Sequence, residues 1–200
     1  TGRCASPCLG QFICGYWPAR GKASETQVRT ASERQVTHTA VIQVKQGIGD
    51  VMWHLPFVRA IAAASPEGTV TFLSLPSSHA RELLAAEPCV AETLYFEHQG
   101  SELQRGLHLY RLVTLLREKR FKRVFILDRT LRPALAARLA GIPERIGLGL
   151  GAQRFFITNA GLDDSFHDVW PPERLVALMA AMNIPLATTI SSSFLVTWLR

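Results

Sequence analysis

An aspartate at the end of a short glycine-containing loop is the first residue whose setting suits chemistry. The loop reads Gly47-Ile48-Gly49-Asp50, and because glycine lacks a Cβ we expect Gly47 and Gly49 to let the backbone turn tightly and approach a ligand. Asp50 has two interpretations. Its carboxylate can cap a helix by accepting a backbone N–H, or it can act as a general base at a ligand-binding edge. The residues alone favour the cap.

The same loop argues against the common phosphate-binding motifs. A dinucleotide fingerprint, G-x-G-x-x-G, needs a third small residue where this chain has Met52, and no G-x-x-x-x-G-K-[ST] motif occurs. A carboxylate at Asp50 would also repel an anionic group and suits the deprotonation of a hydroxyl. A nucleotide-binding regulator is therefore the weaker functional interpretation.

Four basic residues follow predicted strands or the loops beyond them. They are Lys45, Arg129, Arg132 and Arg154. Guanidinium groups bind carboxylates and phosphates through two parallel hydrogen bonds, so these positions favour an anionic, phosphate- or carboxylate-bearing partner. No aromatic stacking platform is interleaved with them, and they form no continuous stripe. Nucleic acid is therefore not an expected partner.

Several other polar residues allow two interpretations each. His54 either lies on a partly buried polar face of a helix or contributes to a ligand site. His167 is a solvated loop residue or touches a phosphate or sugar. Asp128 ends a strand, and by default its carboxylate caps the first turn of the next helix. A basic cluster is either a solvated helix end or a surface for anionic lipid headgroups, and it comprises Arg117, Lys119, Arg120, Lys122 and Arg123.

The elements that must position these residues start at Ala40, where short apolar runs begin to alternate with segments of helical spacing. Strands are predicted over residues 40–44, 69–75, 90–96, 123–128 and 144–148. Helices are predicted after Asp50, with Pro56 in the first turns, and over residues 77–86, 101–120, 131–140 and around 175–182.

This alternation predicts an α/β fold with a Rossmann-like parallel sheet and helices on both faces, because successive parallel strands need a crossover that a helix supplies. Ligands of such sheets bind beyond the carboxyl ends of the strands. This rule predicts that one edge of the sheet carries residues 45–50, residues 75–78, residues 128–132 and the segment after Gly147.

Composition sets the broad class. The 200 residues are 48% apolar and 19% charged with a net charge of +6, which is typical of a globular chain. No apolar run approaches the roughly 20 residues of a membrane-spanning helix.

Residues 1–39 show no helical or alternating pattern of apolar residues and are expected to be a poorly ordered or spurious extension. Their Cys4, Cys8 and Cys14 lack the spacing of a zinc site, so no metal is expected. Cys89 is the one cysteine after residue 40. The sequence therefore predicts no disulfide framework there, which favours a cytoplasmic location.

Three segments together resemble one family, the ADP-heptose:lipopolysaccharide heptosyltransferases of glycosyltransferase family 9. The stretch VIQVKQGIGDVMWHLP at residues 41–56 looks like the opening strand, Gly-Asp turn and Leu-Pro of that family. LAAEPCV at residues 84–90 is similar to its Leu-x-x-x-Pro-x-Val approach to the third strand. RLAGIPERIG at residues 138–147 looks like its Ala-Gly-x-x-x-Arg-Ile-Gly segment.

The resemblance implies the amino-terminal, acceptor-side domain of a GT-B enzyme over residues 40–186. Asp50 then matches the catalytic aspartate, which takes the proton of an acceptor hydroxyl as the sugar is transferred with inversion. The implied donor is a nucleotide sugar, ADP-heptose, with no cofactor. The implied partner is an anionic lipid-linked saccharide of the lipopolysaccharide core, with peripheral contact at the cytoplasmic face of the inner membrane. Lys45, Arg132 and Arg154 are expected to meet its phosphates or carboxylates.

Two departures from the family pattern qualify this expectation. Many relatives read Asp-x-Gln-Gly after the fourth strand, where this chain has Asp128-Arg129-Thr130-Leu131. Residues 187–200 form an atypical tail, and the donor-binding domain is expected to be missing, which would leave the chain inactive by itself. The alternative functions are a non-catalytic acceptor-binding module or a decaying gene product.

Overall fold

The computed structural model describes residues 38–97 and 100–186, and a five-stranded sheet lies at their centre. The strands are β1 (Thr39–Ile42), β2 (Val70–Ser74), β3 (Val90–Tyr95), β4 (Arg123–Ile126) and β5 (Glu144–Gly147). Their order is β3-β2-β1-β4-β5, and every neighbouring pair is parallel. The predicted parallel α/β sheet is confirmed.

Within the described ranges, five α-helices connect or flank the strands: α1 (Ile48–Ala63), α2 (Ala80–Leu83), α3 (Glu102–Lys119), α4 (Leu131–Leu139) and α5 (Pro171–Ala181). Short 3-10 turns occur at Pro76–Ser78, Gly151–Phe155 and Asp164–His167. A capping box starts α3, since Ser101 N–H donates to Gln104 Oε1 at 2.8 Å and Gln104 N–H donates to Ser101 Oγ at 3.4 Å.

Helices cover both faces of the sheet, as predicted. Alternate residues of each strand point to opposite faces, so Val41 and Ile42 belong to different apolar clusters. One cluster joins the strands to α1 and α5 through Phe57, Ile61 and Leu178. The other cluster joins them to α3 and α4. This burial on both faces explains why β1 and β2 are apolar with little polar alternation.

The order in which the chain adds strands to the sheet reverses between β1 and β4. From β1 the chain moves outward through β2 to β3, and β4 then returns to the other side of β1 and continues to β5. Ligands of doubly wound sheets bind where two neighbouring strands lead to opposite sides. The end of β1 and the end of β4 are therefore the first place to look for a site.

Three predicted elements differ from the structure. The helix predicted over residues 77–86 is split, because His79 adopts a left-handed conformation (φ 50) between the Pro76–Ser78 turn and α2. Pro56 lies in the middle of α1 and not in its first turns, because α1 already begins at Ile48. The first strand is predicted over residues 40–44, whereas β1 spans Thr39–Ile42.

Several predictions lie outside the described residues. The zinc interpretation concerned Cys4, Cys8 and Cys14. The predicted extension covers residues 1–39, of which 1–37 lie outside the described residues, and the predicted tail covers residues 187–200. The domain boundaries therefore stay predictions.

Candidate functional site

Asp50 lies in the first turn of α1, directly beyond the end of β1. It is the third residue of the helix and not its N-cap, which is Gly47. Its Oδ2 accepts the Gly47 N–H at 3.2 Å, and its Oδ1 accepts the Trp53 indole N–H at 3.1 Å. Half-buried and doubly hydrogen-bonded, the carboxylate contributes to capping and still keeps further lone pairs for a ligand.

The two glycines of this loop do not make the tight turn predicted for them. Gly47 is extended (φ −88, ψ 149) and Gly49 lies inside the helix, so neither backbone conformation requires glycine. A Cβ on Gly47 would lie 3.0 Å from Asp50 Oδ2, whereas a Cβ on Gly49 would meet nothing within 4 Å. Gly47 therefore makes room for the carboxylate, and Gly49 leaves the surface beside it open.

Asp128 joins the ends of β1 and β4 at the reversal point. Its Oδ2 accepts the Val44 N–H at 2.7 Å, so it binds the neighbouring strand and does not cap the next helix as predicted. The structural reason is that α4 begins only at Leu131, with Thr130 as its N-cap. Burial raises the pKa of the Asp128 carboxyl, opposed by the Val44 hydrogen bond and the nearby Lys45 ammonium and reinforced by the nearby Asp50 carboxylate. The charges of Lys45 and Asp50 therefore both act on Asp128.

His54 is fully buried one turn along α1 from Asp50. Its Nδ1 contacts the Asp50 carbonyl oxygen, an acceptor, so Nδ1 carries the proton. Its Nε2 is buried and has no hydrogen-bond partner within residues 38–97 and 100–186. Burial lowers the pKa of His54 to about 4, so the ring is neutral at physiological pH. The predicted partly buried face is instead a fully buried one.

Gln153 ties together the loops that follow β4 and β5, and the sequence offered no local sign of this. The side chain is 1% exposed. Its Oε1 accepts the Gly149 N–H at 2.8 Å, and its Nε2 donates to the carbonyl oxygens of Asp128 at 2.7 Å and Thr130 at 3.2 Å. The chain lacks the family's Asp-x-Gln-Gly after β4, but a glutamine amide reaches the same loop from the Gly151–Phe155 turn.

Arg129 and His167 come together although they lie far apart in the sequence. Arg129 Nη1 is 3.4 Å from His167 Nε2, and His167 Nδ1 is 2.9 Å from Asp168 Oδ1. Arg174 Nη2 donates to the His167 carbonyl oxygen at 2.7 Å, and its charge acts on that of Arg129. These residues form a second, exposed polar group that starts directly after Asp128.

Arg132 and Arg154 each have surroundings of their own. Arg132 lines a narrow cleft with Arg105 and His108 beside α3. Arg154 pairs with Asp164, with Nη2 and Oδ1 2.7 Å apart, and its Nε donates to the Gly151 carbonyl oxygen at 3.0 Å. The four predicted basic residues therefore divide among separate parts of the surface.

A cavity of about 270 Å³ lies at the carboxyl end of β3, next to the cleft that Arg132 lines. Glu97, His108 and Arg111 supply its polar wall, with His108 Nδ1 and Glu97 Oε2 3.0 Å apart. Tyr95 and Phe96 supply aromatic surface. These residues were not predicted from the sequence, and among them only Glu97 directly follows the strand predicted over residues 90–96.

The predicted basic cluster lies at the opposite edge, where β4 begins. Lys119 pairs with Glu92 and Arg123 with Glu144, each with a nitrogen–oxygen distance of 2.6 Å, and Arg117 donates to the Leu139 carbonyl oxygen at 2.7 Å. Within the described ranges, no helix is both long and apolar enough to cross a membrane.

Two curated proteins similar to this chain carry the same name. Lipopolysaccharide heptosyltransferase 2 of Salmonella typhimurium is 32% identical over 134 residues, and that of Escherichia coli is 30% identical over 135. Each match covers 66% of this chain and 37% of the relative, so the chain spans little more than a third of the relatives' length. No protein-family model matches the chain.

Solved structures agree with these relatives. The E. coli ADP-heptose LPS heptosyltransferase II structure has a TM-score of 0.55 at 26% identity, covering 74% of this chain and 44% of the other. A family 9 glycosyl transferase from Veillonella parvula has a TM-score of 0.57 at 16% identity, covering 75% and 42%, and shows the shared fold alone. On these matches, the chain belongs to the lipopolysaccharide heptosyltransferase family.

Proposed function

We propose that residues 40–186 form the acceptor-side half of a sugar transferase, with Asp50 as the general base. The observation that carries the proposal is the setting of Asp50 at the reversal point of the sheet. Its carboxylate is fixed by two N–H donors, stands beside the open surface over Gly49, and shares its electrostatic environment with Lys45.

In the proposed reaction, an Asp50 oxygen removes the proton of an acceptor hydroxyl as its oxygen attacks the anomeric carbon of a nucleotide sugar. The new bond forms as the bond from that carbon to the diphosphate breaks, which inverts the configuration. The diphosphate leaves with the electron pair of the broken bond. A positioned general base contributes about 10²–10⁴-fold to such a step.

The proposed substrates follow from the relatives and from the charge of the site. The relatives are named for heptose transfer to lipopolysaccharide, and the E. coli structure is described as an ADP-heptose enzyme. We therefore assign ADP-heptose as the donor and an anionic, lipid-linked core saccharide as the acceptor. Lys45 and Arg129 would bind its phosphates or carboxylates, with Arg132, Arg154 and His167 at more distant subsites. Peripheral membrane contact belongs to the same proposal.

The chain covers 37% of the relatives' length, so the proposal concerns acceptor binding and proton removal. We expect the 200-residue chain alone to bind an acceptor without transferring sugar to it. Heptose transfer by that chain alone would contradict this expectation.

The test is binding of a deacylated, phosphorylated lipopolysaccharide core oligosaccharide to the 200-residue chain, measured by isothermal titration calorimetry. Lys45→Ala should weaken binding about tenfold, because a charge-assisted hydrogen bond contributes roughly 1.5–3 kcal/mol. The matched control is Lys122→Ala, an exposed lysine before β4 at the opposite edge, which should change binding less than about twofold. Equal losses in both variants, or no binding by the wild type, would overturn the proposal.

A further inference from the structure

Asp50 receives a hydrogen bond from a side chain on its own helix. The Trp53 indole N–H donates to Asp50 Oδ1 at 3.1 Å, across one turn of α1. The other oxygen, Oδ2, is held by the Gly47 backbone at 3.2 Å. The two donors act on different oxygens, so together they fix both the position and the rotation of the carboxylate.

The indole is itself held in place by two aromatic neighbours. It stacks on His54 with ring centroids 3.6 Å apart and an interplanar angle of 30°. The edge of Phe57 meets it with centroids 6.4 Å apart at 86°. His54 is fully buried and Phe57 is 2% exposed, so a rigid part of the core supports the half-buried indole. A donor that is held in advance loses little entropy when it forms its hydrogen bond.

The backbone of Asp50 is held by His54, whose Nδ1 donates to the Asp50 main-chain oxygen. Trp53 and His54 therefore stack on each other. Trp53 holds the side chain of Asp50, and His54 contacts its backbone. Packing alone would be satisfied by phenylalanine at position 53. Only an N–H on the ring edge accounts for the contact with Oδ1.

We propose that Trp53 is a positioning residue that fixes the orientation of the Asp50 carboxylate for proton removal. This inference rests on the proposed role of Asp50 as base. Trp53 touches neither the acceptor nor the donor in this scheme and acts only through Asp50. A misdirected base loses rate even when the substrate still binds.

The first test is the side-chain conformation of Asp50 in the isotopically labelled 200-residue chain, read from its three-bond N–Cγ and C′–Cγ NMR couplings. The wild type should show the couplings of one χ1 rotamer, and Trp53→Phe should show averaged couplings. Trp170→Phe is the matched control, since Trp170 is the other tryptophan within residues 38–186 and makes no described contact with Asp50; it should keep the wild-type couplings. Unchanged couplings in Trp53→Phe would overturn the inference.

A second measurement applies if Trp53→Phe does not fold. The indole N–H of Trp53 should exchange with water at least about tenfold faster in Asp50→Ala than in the wild type, since a charge-assisted hydrogen bond is lost. Equal exchange would overturn the inference. Both measurements are independent of acceptor binding, so they remain decisive even if the proposed function fails.

The catalytic readout uses a hybrid enzyme in which residues 40–186 replace the matching segment of E. coli lipopolysaccharide heptosyltransferase 2. Trp53→Phe should lower kcat about tenfold, in line with one charge-assisted hydrogen bond, and leave the KM for the acceptor within about twofold. A loss confined to KM would assign Trp53 to substrate binding and contradict the positioning role.

Discussion

At the scale of single residues, His54 is a buried titratable group whose ionisation opposes folding. Burial lowers its pKa from 6.5 to about 4 in the folded chain. Below pH 6.5 the unfolded chain binds the proton more readily than the folded chain does. The free energy of unfolding therefore falls by a total of about 3 kcal/mol as the pH drops from 6.5 to 4, and this loss levels off below pH 4.

Chemical denaturation between pH 7 and pH 4 measures this effect. His54→Asn retains a polar group near the Nδ1 position. Its free energy of unfolding should not show the decrease between pH 6.5 and 4. His79→Asn is the control, since His79 is exposed and its left-handed backbone suits asparagine; it should follow the wild type. A His54→Asn profile parallel to the wild type would refute the assignment.

Asp128 offers a second prediction at this scale. Its carboxylate satisfies the buried Val44 N–H, yet burial disfavours its charge. Asp128→Asn keeps an acceptor oxygen and removes the charge, so we expect equal or greater stability at neutral pH. Asp128→Ala leaves the N–H without an acceptor and should cost about 1–3 kcal/mol.

The pH dependence distinguishes this explanation from simple packing. Because the folded-state pKa of Asp128 is raised, the cost of its ionisation appears as the pH rises above the ordinary value of 3.8. The advantage of Asp128→Asn over the wild type, measured by urea denaturation, should therefore be larger at pH 8 than at pH 4. An advantage that does not vary with pH would contradict the account.

At the scale of elements, the loop after β5 depends on two glycines packed back to back. Gly149 has φ +73, and a Cβ there would lie 2.6 Å from the Gly161 Cα. The Gly149 N–H also donates to Gln153, which holds the loop after β4. Gly149→Ala should therefore destabilise the fold by more than about 1 kcal/mol and perturb the amide resonances of residues 128–130.

Gly106→Ala is the matched control for that substitution. Gly106 lies exposed within α3, and a Cβ there would meet nothing within 4 Å. The change should stabilise the helix by about 0.5–1 kcal/mol. Thermal unfolding of both variants checks the pair, and a Gly149→Ala chain as stable as the wild type would show that the loop does not need glycine.

At the scale of the whole molecule, the sheet was predictable because its pattern is local. β-branched apolar runs such as residues 41–44 and helical spacing such as Leu112 and Leu116 each lie within one element. Parallel crossovers then leave few topologies. Boundaries were less predictable where one residue changes the backbone, as His79 does before α2.

The site was predictable in its location and not in its contacts. The rule for parallel sheets placed Asp50 and Asp128 at one edge, and Asp50 does lie there. The Asp128–Val44 hydrogen bond joins residues 84 positions apart, and the Gln153–Asp128 hydrogen bond joins residues 25 apart. Such pairings depend on the assembled sheet. The contact of Trp53 with Asp50, by contrast, follows a helical spacing visible in the sequence.

The roles of Asp50 and the basic residues in transfer stay predictions, and turnover of the hybrid enzyme with ADP-heptose tests the central one most directly. We predict that Asp50→Asn lowers kcat at least about 100-fold, as expected for loss of a general base, while acceptor affinity changes less than about threefold. Glu118→Gln, an exposed acid on α3, should leave both unchanged. An Asp50→Asn enzyme that retains kcat within about tenfold of the wild type would contradict the account and leave Asp50 as a helix-capping residue.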